Sequence, residues 1–222
     1  MTKSITREKL INEITELVLR ELAPYIKQEI FKGPPYVPVS VSARHVHLQE
    51  DHIELLFGKG YTLTKLRDLS QPGQFACEEQ VTLVGPKGRI ERVRVLGPAR
   101  KQTQVEVAAS DARRLGIHPP VRNSGDLKGS APITIVGPAG TLHLDEGCII
   151  ADRHIHMTPA DANRYGVHNG QKVSVVVPGP KGGIMGEVSI RVSERFSLDM
   201  HIDTDDANAF GLKGEEWLEI IP

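Results

Sequence analysis

Aromatic residues are scarce in this 222-residue chain: one Trp, four Tyr and five Phe, or 5% of the sequence. That leaves little material for a platform on which single-stranded nucleic acid could stack. Cysteine is scarcer still, with only Cys77 and Cys148, too few for a disulfide scaffold or a thiolate zinc site. Neither sign of charge dominates, since 27 Lys and Arg face 28 acids for a net charge of −1. Nothing in that balance asks for a nucleic-acid partner. Apolar runs extend only a few residues, far short of a membrane span. The N-terminus is charged and polar before its first apolar residues, unlike a secretory signal. These absences predict a soluble intracellular protein, long enough for one large domain or two small ones.

What is present divides the chain into an opening segment and a repeated body. Over residues 1–33, Leu10, Ile11, Ile14, Leu17, Val18 and Leu22 recur at three- and four-residue spacings. This predicts an amphipathic helix whose apolar stripe packs on its own body, on a dimer partner, or on another protein or assembly. Gly33-Pro34-Pro35 stops it. Beyond lie short β-rich runs separated by Gly/Pro turns, among them 37–42, 80–84, 104–107, 172–177 and 186–190.

An internal repeat runs through this body. Ser42-Ala43-Arg44-His45-Val46-His47-Leu48 returns as Ala151-Asp152-Arg153-His154-Ile155-His156-Met157. Gly85-Pro86-Lys87-Gly88 returns as Gly179-Pro180-Lys181-Gly182, and Thr103-Gln104-Val105-Glu106-Val107 as Leu198-Asp199-Met200-His201-Ile202. Short helices with hydroxyl caps at Ser110, Thr158 and Thr204 end on Gly116, Gly166 and Gly211. The expected fold is mainly β: two repeated β-barrel domains capped by short helices, preceded by an N-terminal amphipathic helix. The expected boundaries are 1–33 for the helical segment, 34–118 for the first barrel, 119–130 for a linker and 131–222 for the second barrel. Within the last, 133–136 and 141–144 read as an added hairpin.

On a strand, residues i and i+2 face one side, so each His-x-His pair can aim two imidazoles at one ion. The repeat offers a third ligand to each pair. One set is His45, His47 and Glu106, and the other is His154, His156 and His201. Three protein ligands leave coordination positions for water or substrate, and imidazole with carboxylate suits zinc, although Co²⁺, Ni²⁺ or Fe²⁺ would accept the same set. Arg100, whose repeat partner is Arg195, is a candidate clamp for phosphate or carboxylate. Arg44 and Arg153, each just before a histidine pair, either bind an anion or pair with nearby acids to hold the ligand loops.

These motifs, from Val41 to Leu48, Gly97-Pro98-Ala99-Arg100 with Thr103 to Glu106, and Ala151 to Met157, resemble the PduL-type phosphotransacylases, also called phosphate propanoyltransferases. The resemblance spans about residues 37–222. It implies two β-barrels with a two-zinc site between them, commonly in a dimer. The family's ligands fall on His45, His47 and Glu106 for one ion and on His154, His156 and His201 for the other. Its phosphate-handling arginine falls on Arg100. The implied reaction is reversible transfer of a propanoyl or acetyl group between coenzyme A and inorganic phosphate. The implied location is the cytoplasm or the interior of a bacterial microcompartment, with residues 1–33 docking to a shell or core protein. A two-metal hydrolase of thioesters or phosphate esters, and a metal-stabilised β-barrel binding protein, share the ligand set and stand as alternatives.

Overall fold

The computed structural model describes residues 35–222, together with Val18. The helix expected over 1–33 therefore lies outside the described residues, Val18 apart. Residues 36–222 form one compact unit in which the predicted β-runs become strands with period-2 burial. In β11 (Lys172–Val177), for example, Val173, Val175 and Val177 point inward while Ser174 and Val176 are half-exposed.

The strands close into two six-stranded barrels. One, here the terminal barrel, runs in the order β1 (Tyr36–Ser42), β13 (Asp199–Asp203), β10 (His154–Met157), β12 (Gly183–Val192), β11 and β14 (Trp217–Ile221), which returns to β1. The other, the inserted barrel, is built from β2 (His45–His47), β4 (Phe75–Val84), β5 (Arg89–Gly97), β6 (Gln104–Glu106), β8 (Ala131–Val136) and β9 (Thr141–Ala151). It closes where β8 pairs with both β4 and β9. Strands β3 (Lys65–Asp68) and β7 (Val121–Arg122) attach outside it, on β4 and β9. Four short helices, α1 (Glu50–Phe57), α2 (Ala109–Leu115), α3 (Pro159–Tyr165) and α4 (Thr204–Phe210), cap the barrels.

Strand membership departs from the sequence boundaries at 34–118 and 131–222. Strand β1 belongs with the C-terminal strands, pairing parallel to β13 and antiparallel to β14. The hairpin at 133–144 is no addition to the second barrel, because it supplies the two strands that close the first. The expected linker, 119–130, contributes β7 and a loop that reaches the functional cleft. A linear repeat cannot show this exchange, since each barrel is completed by strands remote in sequence.

Each barrel has its own core. Val46, Leu83, Val93, Val95, Val105, Ile133 and Ile135 fill the inserted barrel. Val37, Ile155, Val175, Val188, Ile190, Met200 and Leu218 fill the terminal one. Burying a side chain of this size is worth about 1.5–3 kcal/mol, so a single truncation inside either barrel removes a large share of a domain's net stability. The Gly-Pro-Lys-Gly repeat forms a hairpin turn, closed in the first copy by Gly85 N–H to Gly88 O at 2.9 Å. A Cβ on Gly85 would overlap the Leu115 carbonyl, so the turn packs against the end of α2 only as glycine.

The helix starts differ from expectation at two of three places. Thr158 caps α3 as predicted, accepting from Asp161 N–H at 3.1 Å. By contrast α2 begins two residues earlier, at Ala109, and α4 is capped by Asp203, which accepts from Asp206 N–H at 2.8 Å. Asp203 ends β13, so its extended backbone already meets the requirement of a cap position.

Candidate metal centre

The central residue of each His-x-His pair anchors its barrel, and the flanking histidines face the cleft between barrels. Val46 and Ile155 are fully buried in the two cores. The ladder register then places the third residue of each triad directly across from the first histidine. His45 pairs with Glu106 on β6, and His154 pairs with His201 on β13. In both triads the three ligand atoms lie within 4.8 Å of one another.

Hydrogen bonds orient the rings in the same way twice. His45 Nδ1 donates to Ala43 O at 2.9 Å, and His154 Nδ1 donates to Asp152 O at 2.7 Å, in each case to the carbonyl two residues back. That leaves Nε2 of both rings with the lone pair. The second histidine of each pair is different. His47 Nδ1 and His156 Nδ1 are buried and have no hydrogen-bond partner, two of only three such side-chain atoms among the described residues. A buried nitrogen without a partner costs about 1–3 kcal/mol, and a metal ion satisfies it as a hydrogen bond would.

Electrostatics keep most of these groups competent as ligands. Burial and the neighbouring His201 lower His154 to about 4, and burial with His154 and His201 lowers His156 to about 2. Burial, His45 and Arg100 likewise hold His47 well below the usual imidazole range. Burial would raise Glu106, yet His45, His47 and Arg100 outweigh it and keep this carboxylate ionised far into acid. Burial also pulls His45 down, but Glu106, 3.4 Å from its Nε2, produces a net rise. Five imidazoles, once deprotonated, and one carboxylate make donor sets of N₂O and N₃, which fit zinc or a similar transition metal. Each triad could therefore hold one ion.

Around the triads lies a cleft of about 890 Å³ whose lining includes all six of these residues with Arg100 and Arg191. Arg100 Nη1 donates to Ser124 Oγ at 3.1 Å. Gln104 Nε2 donates to the same Oγ at 2.8 Å and to Glu106 Oε1. Gly125 N–H in turn donates to Gln104 Oε1 at 2.7 Å. Sequence reasoning missed Gln104, Ser124 and Arg191. Gln104 was within reach, since it aligns in the repeat with Asp199, whose Oδ2 accepts from His201 Nε2 at 2.9 Å. Arg191 has no repeat signal: its register partner is His156, while the same place beside His47 holds Leu96. Arg195, the repeat partner of Arg100, is instead exposed.

Arg44 and Arg153 are taken by acids. Arg44 Nη1 sits 3.0 Å from Asp111 Oδ1, and Arg153 Nη2 sits 3.1 Å from Asp206 Oδ1. Both acids belong to the first turns of helices, α2 and α4, and both stand in the repeated Asp-Ala pairs. The cysteines are buried, and burial raises Cys77 to about 11 and Cys148 to about 12, so neither is a thiolate nucleophile at neutral pH.

Twin barrels turn two matched triads, each able to hold a metal ion, and two guanidinium groups toward one cleft. Comparison with known proteins narrows the class. The family model described as phosphate propanoyltransferase matches residues 38–213. The phosphate propanoyltransferase of Lachnoclostridium phytofermentans is 56% identical over 200 residues, covering 90% of this chain and 92% of the relative. That of Rhodobacter capsulatus is 50% identical over 207 residues, covering 92% and 96%. That of Thermotoga maritima is 52% identical over 194 residues, covering 87% and 92%. The chain belongs to the phosphate propanoyltransferase family, and it is an acyltransferase.

Proposed function

We propose that this protein catalyses reversible transfer of a short acyl group, propanoyl or acetyl, between coenzyme A and inorganic phosphate. In this reading His45, His47 and Glu106 hold one zinc ion, and His154, His156 and His201 hold the other. The observation that carries it is the pair of matched triads opening on the same cleft as Arg100 and Arg191, in a chain that is half identical to phosphate propanoyltransferases. Zinc held by these triads would supply Lewis acidity toward the thioester carbonyl and the leaving thiolate.

The chain's own residues do the rest. Arg100 and Arg191 are half-buried guanidiniums, and burial lowers both from the ordinary arginine value while Glu106 supports their charge. Two planar donors lining one cleft suit a phosphate dianion, which they hold against the thioester carbon. A phosphate oxygen attacks that carbon, the new C–O bond forms, the C–S bond breaks, and the sulfur leaves as the CoA thiolate. Direct attack fits the two thiols, which are protonated and buried and so offer no activated sulfur nucleophile. Ser124 is committed to Arg100 and Gln104 and acts in positioning. A homodimer, and docking of residues 1–33 to a microcompartment shell or core protein, belong to the same proposal. Loss of co-sedimentation with such an assembly on truncation of 1–33 tests the docking.

The decisive assay incubates the purified protein with propanoyl-CoA, with and without phosphate, and follows free thiol and acyl phosphate together. Both products should appear, and only with phosphate. Thiol release without acyl phosphate would identify a hydrolase instead, and release of neither a binding protein.

A further inference from the structure

The two triads have unlike surroundings. Beside Glu106 a polar network runs through Gln104 and Ser124 to Arg100. Beside His156 the neighbour is a phenyl ring, with the Phe196 centroid 4.2 Å from that of the imidazole. The Arg191 guanidinium carbon lies 5.9 Å from the same ring, on its face. Phe196 is the only Phe, Tyr or Trp among the described residues that line the cleft.

Its position is fixed from the other barrel. Phe196 lies on the loop between β12 and β13 of the terminal barrel. Gln71, on the loop between β3 and β4 beside the inserted barrel, is 3% exposed. Its Nε2 donates to Ser197 O at 3.0 Å, and its Oε1 accepts from Ser197 N–H at 3.2 Å. One side-chain amide thus pairs with both backbone groups of the residue that follows Phe196. From the other side, Phe196 N–H donates to Ser193 O at 3.1 Å and closes the turn. A buried amide that lost either bond would be left unsatisfied, so the arrangement resists displacement.

From this we infer that Phe196 is the wall that limits acyl chain length, and that Gln71 is the positioning residue that holds it there. The inference rests on the acyl-transfer reading and names its substrate class as short-chain acyl thioesters. With phosphate held by Arg100 and by Arg191, which stands over the Phe196 ring, the alkyl tail of the thioester that phosphate attacks comes to lie beside that ring. A two- or three-carbon acyl group gains van der Waals contact with that ring, and a longer chain collides with it.

The test compares wild type, Phe196→Ala, Phe196→Leu, Gln71→Ala and the Gln71→Ala/Phe196→Ala double variant. Acetyl-, propanoyl-, butanoyl- and hexanoyl-CoA are each assayed with phosphate, with circular dichroism and elemental analysis on every variant. Phe196→Ala should raise the hexanoyl-to-propanoyl ratio of kcat/KM about ten- to a hundredfold, the discrimination a hydrophobic wall can supply. Phe196→Leu, which keeps an apolar side chain in the loop, should raise it less. Gln71→Ala should shift the ratio in the same direction, and the double variant should match Phe196→Ala alone, because the two residues act through one ring. An unchanged ratio in both Phe196 variants, with propanoyl phosphate still formed, overturns the inference. A Gln71→Ala effect that adds fully to that of Phe196→Ala overturns the role of Gln71. Failure of the wild type to make acyl phosphate from any of the four thioesters is a separate result, which removes the acyl-transfer reading itself.

Discussion

Gln104 and Asp199 occupy equivalent places in the two barrels, each paired across the ladder with the second histidine of its motif. Each also hydrogen-bonds the third residue of its own triad, Gln104 donating to Glu106 and Asp199 accepting from His201. The chemistry is complementary. Where the triad residue is a carboxylate its support is an amide donor, and where it is an imidazole its support is a carboxylate. Such a bond fixes the His201 tautomer with Nε2 protonated, leaves Nδ1 the lone pair, and orients the ring toward a metal.

Asp199→Asn should weaken zinc binding at the second triad by about 10–100-fold while sparing the first. Competition with a chromophoric chelator should show two ions per wild-type chain and, in the variant, one ion released at markedly lower chelator concentration. Equal retention of both ions would show that Asp199 supports the fold and not the metal.

Metal-free protein should lose stability between pH 7 and pH 5. His154 and His156 have folded pKa values near 4 and 2, below the unfolded value of 6.5. In this window the unfolded chain binds more protons than the folded one, so acid favours unfolding. The raised pKa of His45 opposes this in part, because its stabilising charge is present below 6.5 and lost only as pH rises past its folded value. In urea melts of chelator-treated protein, His156→Asn should reduce the loss between pH 7 and 5 by about 1–2 kcal/mol. A slope identical to wild type would mean that His156 titrates normally.

Arg100→Ala should retain both metals and lose about 10²–10³-fold in kcat/KM for phosphate, the size of a lost transition-state donor. Arg100→Lys should recover only part of this, since an ammonium lacks the planar fork. If the alanine variant instead loses an ion, and added zinc restores its activity, the guanidinium serves Glu106 and not phosphate.

Arg153→Ala should behave in the opposite way. Removing the guanidinium strands the largely buried Asp206 carboxylate at the start of α4, at a cost of about 1–3 kcal/mol. Thermal melts should record that loss, with metal content and the KM for phosphate unchanged. A raised KM for phosphate at wild-type stability would return Arg153 to the list of anion-binding residues.

Much of the centre was legible because duplication writes the same constraint twice. The His-x-His pairs, their third partners and the turns all stood in corresponding positions of the repeat, and the ladder register brought them together. Gln104 apart, the residues that escaped detection break the repeat. Arg191 stands where the other copy has Leu96, and Ser124 comes from a stretch with the composition of a linker. Gln71 reaches the loop that carries Phe196 only through its pairing with Ser197, 126 residues away, which no local pattern records. The barrel boundaries failed for a related reason. Burial alternation identifies a strand, but partner choice depends on closure in three dimensions.

That closure imposes an order of assembly on the growing chain. All strands of the inserted barrel lie between His45 and Ala151, so it can close before the last third of the protein has been made. Strand β1, synthesised first, has no partner until β13 appears at Asp199 and β14 at Trp217. During that interval its apolar face, Val37 and Val39, must stay unpaired. A nascent chain halted after residue 151 should therefore carry one finished barrel and one waiting strand, and the histidine cleft should form only when the final residues arrive.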